Sequence, residues 1–150
     1  MYTNSLIFAI TVLTLLLFPT LLIAQGQEDA FVRSIDAEEL EWGGCPEFMP
    51  KSCSIAVLQG DPAEPNADIF FKMEGNTKVP NHWHHSAERM VLVSGEMKVE
   101  YEGQKPKVID VNSYAYGPAE RRHKAACISE DPCVLFIAFE EPIDAFAVNK

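Results

Sequence analysis

Three of the chain's four histidines, His82, His84 and His85, fall within four positions. Pro80 disfavours helix at the residue before it, so the approach from Lys78 to Asn81 is expected to be extended. In a strand, residues two apart project to one face. His82 and His84 then point together, with Trp83 opposite. Glu88 follows four positions after His84, past an expected bend at His85-Ser86-Ala87, where the next strand begins. Two imidazoles and a carboxylate converging from adjacent strands make a facial donor set suited to a divalent transition metal. His123 lies 39 positions beyond His84, and only the fold can bring it to them. The spacing alone fits a solvated His-rich turn beside an acid equally well.

The elements that must position these side chains read as short strands. Ser54–Leu58 is apolar and partly β-branched, and Gly60-Asp61-Pro62 turns the chain after it. From Ala67 to Met73 the pattern alternates, with Ile69, Phe71 and Met73 on one face and Asp68, Phe70 and Lys72 on the other. Met90–Val93 ends at Ser94-Gly95. Met97, Val99 and Tyr101 then alternate against Lys98 and Glu100 up to Gly103. Lys107–Val111, Tyr114–Tyr116, Lys124–Ile128, Cys133–Phe139 and Ile143–Val148 follow. Strands this short, separated by turns and with no intervening helical stretch, predict an all-β sandwich or barrel. Ahead of them, Asp29–Leu40 is expected to form a short helix, and Trp42-Gly43-Gly44-Cys45-Pro46 to break regular structure.

The histidine segment resembles the first motif of the cupin family. Gly75 is followed by six residues, His82-Trp83-His84, three residues, Glu88, six residues and Gly95, a departure of one residue in the first gap. The second motif is matched by Asn112, five residues, Pro118-Ala119-Glu120, two residues and His123. Asn112 and Glu120 stand where the family has Gly. Asn tolerates the left-handed conformation that Gly supplies; Glu does so less readily. Val57-Leu58-Gln59-Gly60-Asp61-Pro62 and Glu88-Arg89-Met90-Val91-Leu92-Val93-Ser94-Gly95 resemble one branch, the small exported cupins. The resemblance covers residues 54–148. It implies a double-stranded β-helix, or jelly roll, with one divalent ion (Fe, Mn, Ni, Cu or Zn) inside the barrel. It carries the ligand role to His82, His84, Glu88 and His123. Binding by these imidazoles is expected to weaken as pH falls through about 6.5.

Around that centre, His85 is expected to be a hydrogen-bonding partner or a surface residue. A one-residue slip could substitute it for His84, but it would then face away from His82. Arg89 should face outward and pair with surface acids. Tyr114 and Tyr116 share a face and are expected to fill core, with lining the barrel as the alternative. Arg121 and Arg122 fall at the expected mouth of the site, where they could select an anion or pair with neighbouring acids. Glu96, Glu100 and Glu102 look solvated.

The N-terminal stretch sets the compartment. Residues 6–23 are almost wholly apolar and no charged side chain precedes Glu28. With Pro19 near the end and small residues Ala24 and Gly26 after it, this predicts a signal peptide over residues 1–26. An uncleaved anchor is the alternative. Residues 27–53 then form an N-terminal arm and residues 54–150 the barrel, secreted or periplasmic. Cys45, Cys53, Cys127 and Cys133 all follow the signal, which predicts two disulfides. Three pairings are open; Cys45–Cys53 and Cys127–Cys133 are the most local. The net charge of −10 repels phosphate backbones and argues against nucleic acid as a partner. Expected partners are a small-molecule substrate or ligand, with no membrane insertion after cleavage and a homodimer left open. The enzyme reading is a metal-dependent small-molecule enzyme, foremost a dioxygenase acting on a chelating diol or diketone, then an isomerase or lyase. The rival is a metal- or ligand-binding module without turnover.

Overall fold

Side-chain alternation sorts this chain into two faces at every strand, and the sorted faces build the molecule. The computed structural model describes residues 29–148. The expected signal segment, residues 1–26, lies outside them. Eleven strands and no helix occur among the described residues. They are β1 (Trp42–Gly44), β2 (Ser54–Gln59), β3 (Asp68–Met73), β4 (Lys78–Trp83), β5 (Glu88–Ser94) and β6 (Met97–Tyr101), then β7 (Lys107–Ile109), β8 (Tyr114–Gly117), β9 (His123–Cys127), β10 (Cys133–Phe139) and β11 (Phe146–Ala147). All of them belong to the compact unit Val32–Lys150.

Six strands form one sheet in the order β1-β2-β3-β10-β5-β8, and five form the other in the order β11-β4-β9-β6-β7. Every pairing is antiparallel. The main core joins residues of both sheets. Ile69, Met73, Leu92, Leu135 and Ile137 come from the first, and Val79, Met97, Val99, Ile109 and Cys127 from the second. This is the expected all-β jelly roll. Burying such side chains contributes about 1.5–3 kcal/mol each before chain entropy is counted.

The arm departs from expectation. Asp29–Leu40 forms no helix; two tight turns stand there, with Ala37 N–H donating to Ser34 O and Leu40 N–H to Ala37 O, each at 3.1 Å. Phe31, Ile35 and Leu40 are too sparse to give the continuous stripe a helix must bury. The turns instead deliver Leu40 to a second cluster with Ala56, Phe70 and Val134. Trp42–Gly44, expected to break structure, is β1 and pairs with β2 in the register Trp42↔Ala56. Strand pairing uses main-chain groups, so two glycines do not forbid it at a sheet edge. Trp42 also carries Lys72 Nζ over its ring at 3.9 Å, a cation–π contact.

Tyr114 and Tyr116 are not core. They are 64% and 53% exposed. The register of β8 on β5 sets Ala115 opposite Met90 and Gly117 opposite Glu88. Ala115 packs against the core, so the alternating tyrosines turn outward. Arg89 faces outward as expected and pairs with Glu140 at 3.1 Å. Glu96 and Glu102 are exposed, and Glu100 pairs with Lys124 at 3.1 Å.

Both local disulfides are present, Cys45–Cys53 and Cys127–Cys133, each with Cα atoms 5.7 Å apart. Cys127 ends β9 in one sheet and Cys133 opens β10 in the other, so this bond staples the two layers close to the strand that carries His123. Unfolded, unreduced protein should therefore show no reactive thiol on titration. Replacing Cys127 and Cys133 together by Ala should lower stability by about 2–4 kcal/mol, and by more than the same change at Cys45 and Cys53. Two or more thiols in the unreduced protein would reject the pairing.

Candidate metal centre

Two sheets and one connection deliver the four expected ligands. His82 sits near the end of β4 and is paired in register with His123 at the start of β9. Glu88 opens β5 in the opposite sheet, in register with both Phe139 and Gly117. His84 lies in the bend between β4 and β5. Ser86 fixes that bend: its buried hydroxyl donates to Ala87 O at 2.7 Å and accepts from Glu140 N–H at 2.9 Å and Glu141 N–H at 3.0 Å. Each of its hydrogen-bonding sites is thereby used, which holds the connection to the strand end of β10.

All four residues are buried, at 4–7% exposure. The ring centroids of His82 and His123 are 4.1 Å apart, and those of His82 and His84 4.8 Å. One nitrogen from each of the three imidazoles lies within 4.8 Å of the other two. The Glu88 carboxylate spans two of them, with Oε1 3.6 Å from His84 Nε2 and Oε2 3.7 Å from His123 Nε2. Trp83 points away and stacks on Phe146 at 4.6 Å.

The orientation of the three rings follows from their outer nitrogens. His82 Nδ1 lies 2.8 Å from Pro80 O and His123 Nδ1 3.0 Å from Arg121 O, while His84 Nδ1 bonds Asp144 O. A carbonyl oxygen can only accept, so each Nδ1 carries the proton. In the neutral ring Nε2 then keeps the lone pair. Backbone carbonyls holding the outer N–H are the arrangement that fixes the tautomer of metal-ligating histidines. Burial pushes the His82 pKa down to about 3, helped by repulsion from His123 and His84. His123 is also lowered, by burial first, with Glu88 acting against the shift. Neutral imidazole is the form a metal requires. The three imidazoles, by their spacing, burial and tautomers, fit one divalent ion; Glu88 lies beside two of them and outside that close group.

The motif glycines and their replacements are explained by backbone geometry. A Cβ at Gly75 would stand 2.0 Å from the Glu130 carbonyl oxygen, so no side chain fits. Asn112 and Glu120 both adopt left-handed conformations, with φ of 67° and 58°. Glu120 holds the family turn despite its Cβ, and its N–H donates to His84 O at 2.7 Å.

His85 is a flank, not a fourth imidazole. Its backbone N–H and its Nδ1 engage the Asp144 carboxylate at 3.0 and 2.5 Å. Asp144 thus grips His85 with its side chain and His84 with its carbonyl. Arg121 and Arg122 are exposed and make no ion pair among the described residues. Sequence reasoning missed Asp144, because nothing local marks a residue 60 positions from its partner. It also missed Tyr101, which shares the inward face of β6 with Met97 and Val99 and packs on His123 at 4.8 Å. The alternation of β6 carried that signal.

A family model described as the ChrR cupin-like domain matches residues 32–142. The chain belongs to this cupin family. No curated protein sequence matches it. Among solved structures, the cupin is similar to the DMSP lyase DddQ from Ruegeria pomeroyi DSS-3, with a TM-score of 0.63 and 14% identity over 73% of this chain and 61% of that one. It is also similar to the Lactobacillus farciminis oxalate decarboxylase, with a TM-score of 0.59 and 15% identity over 73% of this chain and 33% of that one. The Bacillus subtilis oxalate decarboxylase, which has Mn(II) centres, matches with a TM-score of 0.56 and 14% identity over 66% of this chain and 29% of that one. This cupin spans under two thirds of the lyase's length and about a third of the decarboxylases'. At these identities the likeness is one of fold.

Proposed function

We propose that this cupin binds one divalent transition metal ion through His82, His84, Glu88 and His123 and uses it on a small molecule, with oxidation of a chelating diol or diketone as the reaction class. The observation that carries the reading is the shared orientation of three buried imidazoles, each with its Nδ1–H held by a backbone carbonyl. When bound, such an ion supplies Lewis acidity and, for iron or copper, a change of redox state. The chain supplies the rest. Carbonyl contacts hold the imidazoles ready, Glu88 contributes the one anionic donor, and the apolar barrel wall excludes water. Residues 1–26 as a removed signal, 27–53 as an arm and 54–150 as the barrel go with this reading. So does a secreted or periplasmic location, which the two disulfides support.

One observation favours the rival reading of a binding module. Besides the four ligands, the wall of the cavity contributes only two titratable side chains, Tyr101 and Asp144, and the Asp144 carboxylate is engaged by His85. Chemistry needing a separate proton shuttle has little to work with. Dioxygen uptake separates the two. The Fe(II)- or Cu(II)-loaded protein should consume dioxygen with a diketone or a catechol-like diol, and the Zn(II) form should be silent, because zinc has no accessible redox change. Absence of uptake across such a panel, with equal ligand binding by both metal forms, would favour the binding module.

A further inference from the structure

The Tyr101 hydroxyl is the one buried side-chain polar atom among the described residues with no hydrogen-bond partner. The residue is 8% exposed. A buried hydroxyl left unpaired is costly, so most such groups in folded proteins have a partner. The space it occupies is kept open by a glycine. A Cβ on Gly117 would stand 2.4 Å from the Tyr101 hydroxyl oxygen and 2.9 Å from Glu88 Oε2. Hydroxyl and Glu88 carboxylate therefore flank one side-chain-free point, and both residues line the cavity that the three imidazoles line.

The remainder of that cavity is apolar, with walls from Ile55, Ile69, Phe71, Val79, Leu135 and Ile137. Its volume is about 140 Å³, close to that of a dry aliphatic cavity of about 150 Å³ that takes up benzene. By that comparison it holds about six non-hydrogen atoms, head group included. Charge narrows the ligand further. Three neutral imidazoles and one carboxylate around a divalent ion leave a net charge of +1, which a monoanion cancels in a wall that cannot solvate the excess.

We infer that Tyr101 is a polar anchor for small monoanions at this centre: its hydroxyl donates a hydrogen bond to an oxygen of a short aliphatic carboxylate whose tail lies in the cavity, competing there with the diol or diketone proposed above. The inference rests on the metal reading above. A phenol is protonated at neutral pH and so available as a donor.

The test uses the full chain loaded with zinc, titrated calorimetrically with acetate, butyrate and hexanoate. Affinity should rise up to about fourfold for each buried methylene. Tyr101→Phe should lower every affinity about tenfold or more, the loss expected for a hydrogen bond to a charged group. Its zinc content should stay at the wild-type value. Without carboxylate, its melting temperature should hold or rise, because the change deletes an unpaired buried hydroxyl; a hydroxyl with only a structural role would instead make the variant melt lower. Unchanged affinities in Tyr101→Phe, a lower melting temperature without ligand, or a stoichiometrically zinc-loaded wild type that ignores all three acids would each overturn the inference and leave the metal reading standing. A wild type that takes up no zinc would overturn the metal reading itself, and the inference with it.

Discussion

His123→Ala should purify without stoichiometric metal, while His85→Ala should keep a full complement. The two histidines differ in every property a ligand needs. His123 is buried, holds its Nδ1–H on Arg121 O, and turns Nε2 toward Glu88 at 3.7 Å. The side chain of His85 is 54% exposed, and its Nδ1 is engaged by Asp144 at 2.5 Å. Losing a residue that merely orients a ligand lowers metal affinity about 10–100-fold; losing a ligand should lower it by at least about 100-fold on that scale. His123 starts β9 and its strand pairings are main-chain, so the variant should fold, which circular dichroism can verify. Metal analysis should give close to one ion per chain in the wild type and in His85→Ala, and a small fraction of that in His82→Ala and His123→Ala. Glu88→Gln should lie between, because it keeps an oxygen donor but removes the only anionic one. Wild-type metal content in His123→Ala would withdraw that histidine from the site and leave a three-donor set.

Pairwise alternation made half of this centre legible. His82 and His84 share a face because they stand two apart around a strand end, and Glu88 follows because a bend must separate β4 from β5. His123 could be assigned only through the family motif. Its approach depends on the β4–β9 pairing, and nothing near either residue encodes a contact across 41 positions. The same limit explains the tyrosines. Tyr114 and Tyr116 were paired correctly on one face, but which face turns inward depends on the register of β8 against β5, a tertiary fact. Tyr101 lay on a strand whose inward face was readable, yet its role emerges only when Gly117 and Glu88 arrive beside its hydroxyl. In the arm, main-chain pairing overrode local composition, so two glycines became an edge strand.

Acid should destabilise the metal-free protein progressively as pH falls below 6.5. In the folded state burial holds the His82 pKa down to about 3, against an unfolded value of 6.5. Between those values the unfolded chain binds a proton at this residue and the folded chain does not. Stability therefore rises with pH across the window. The contribution is fully present above 6.5 and is lost as pH falls toward 3. Each pH unit below 6.5 should remove about 1.4 kcal/mol, reaching about 4 kcal/mol near the folded pKa, where the slope levels off. His123, shifted in the same direction by burial, adds to the slope. Glu88 faces His123 and opposes its shift, and His84 faces both rings. Urea midpoints of metal-free protein at pH 7, 5.5 and 4.5 should fall steadily, and His82→Gln should flatten the curve, because Gln keeps polar bulk without titrating. An equally steep fall in His82→Gln would assign the acid sensitivity elsewhere. The same shifts alter the expectation for metal. Burial keeps His82 neutral well below pH 6.5, so this ligand adds no proton competition at that value.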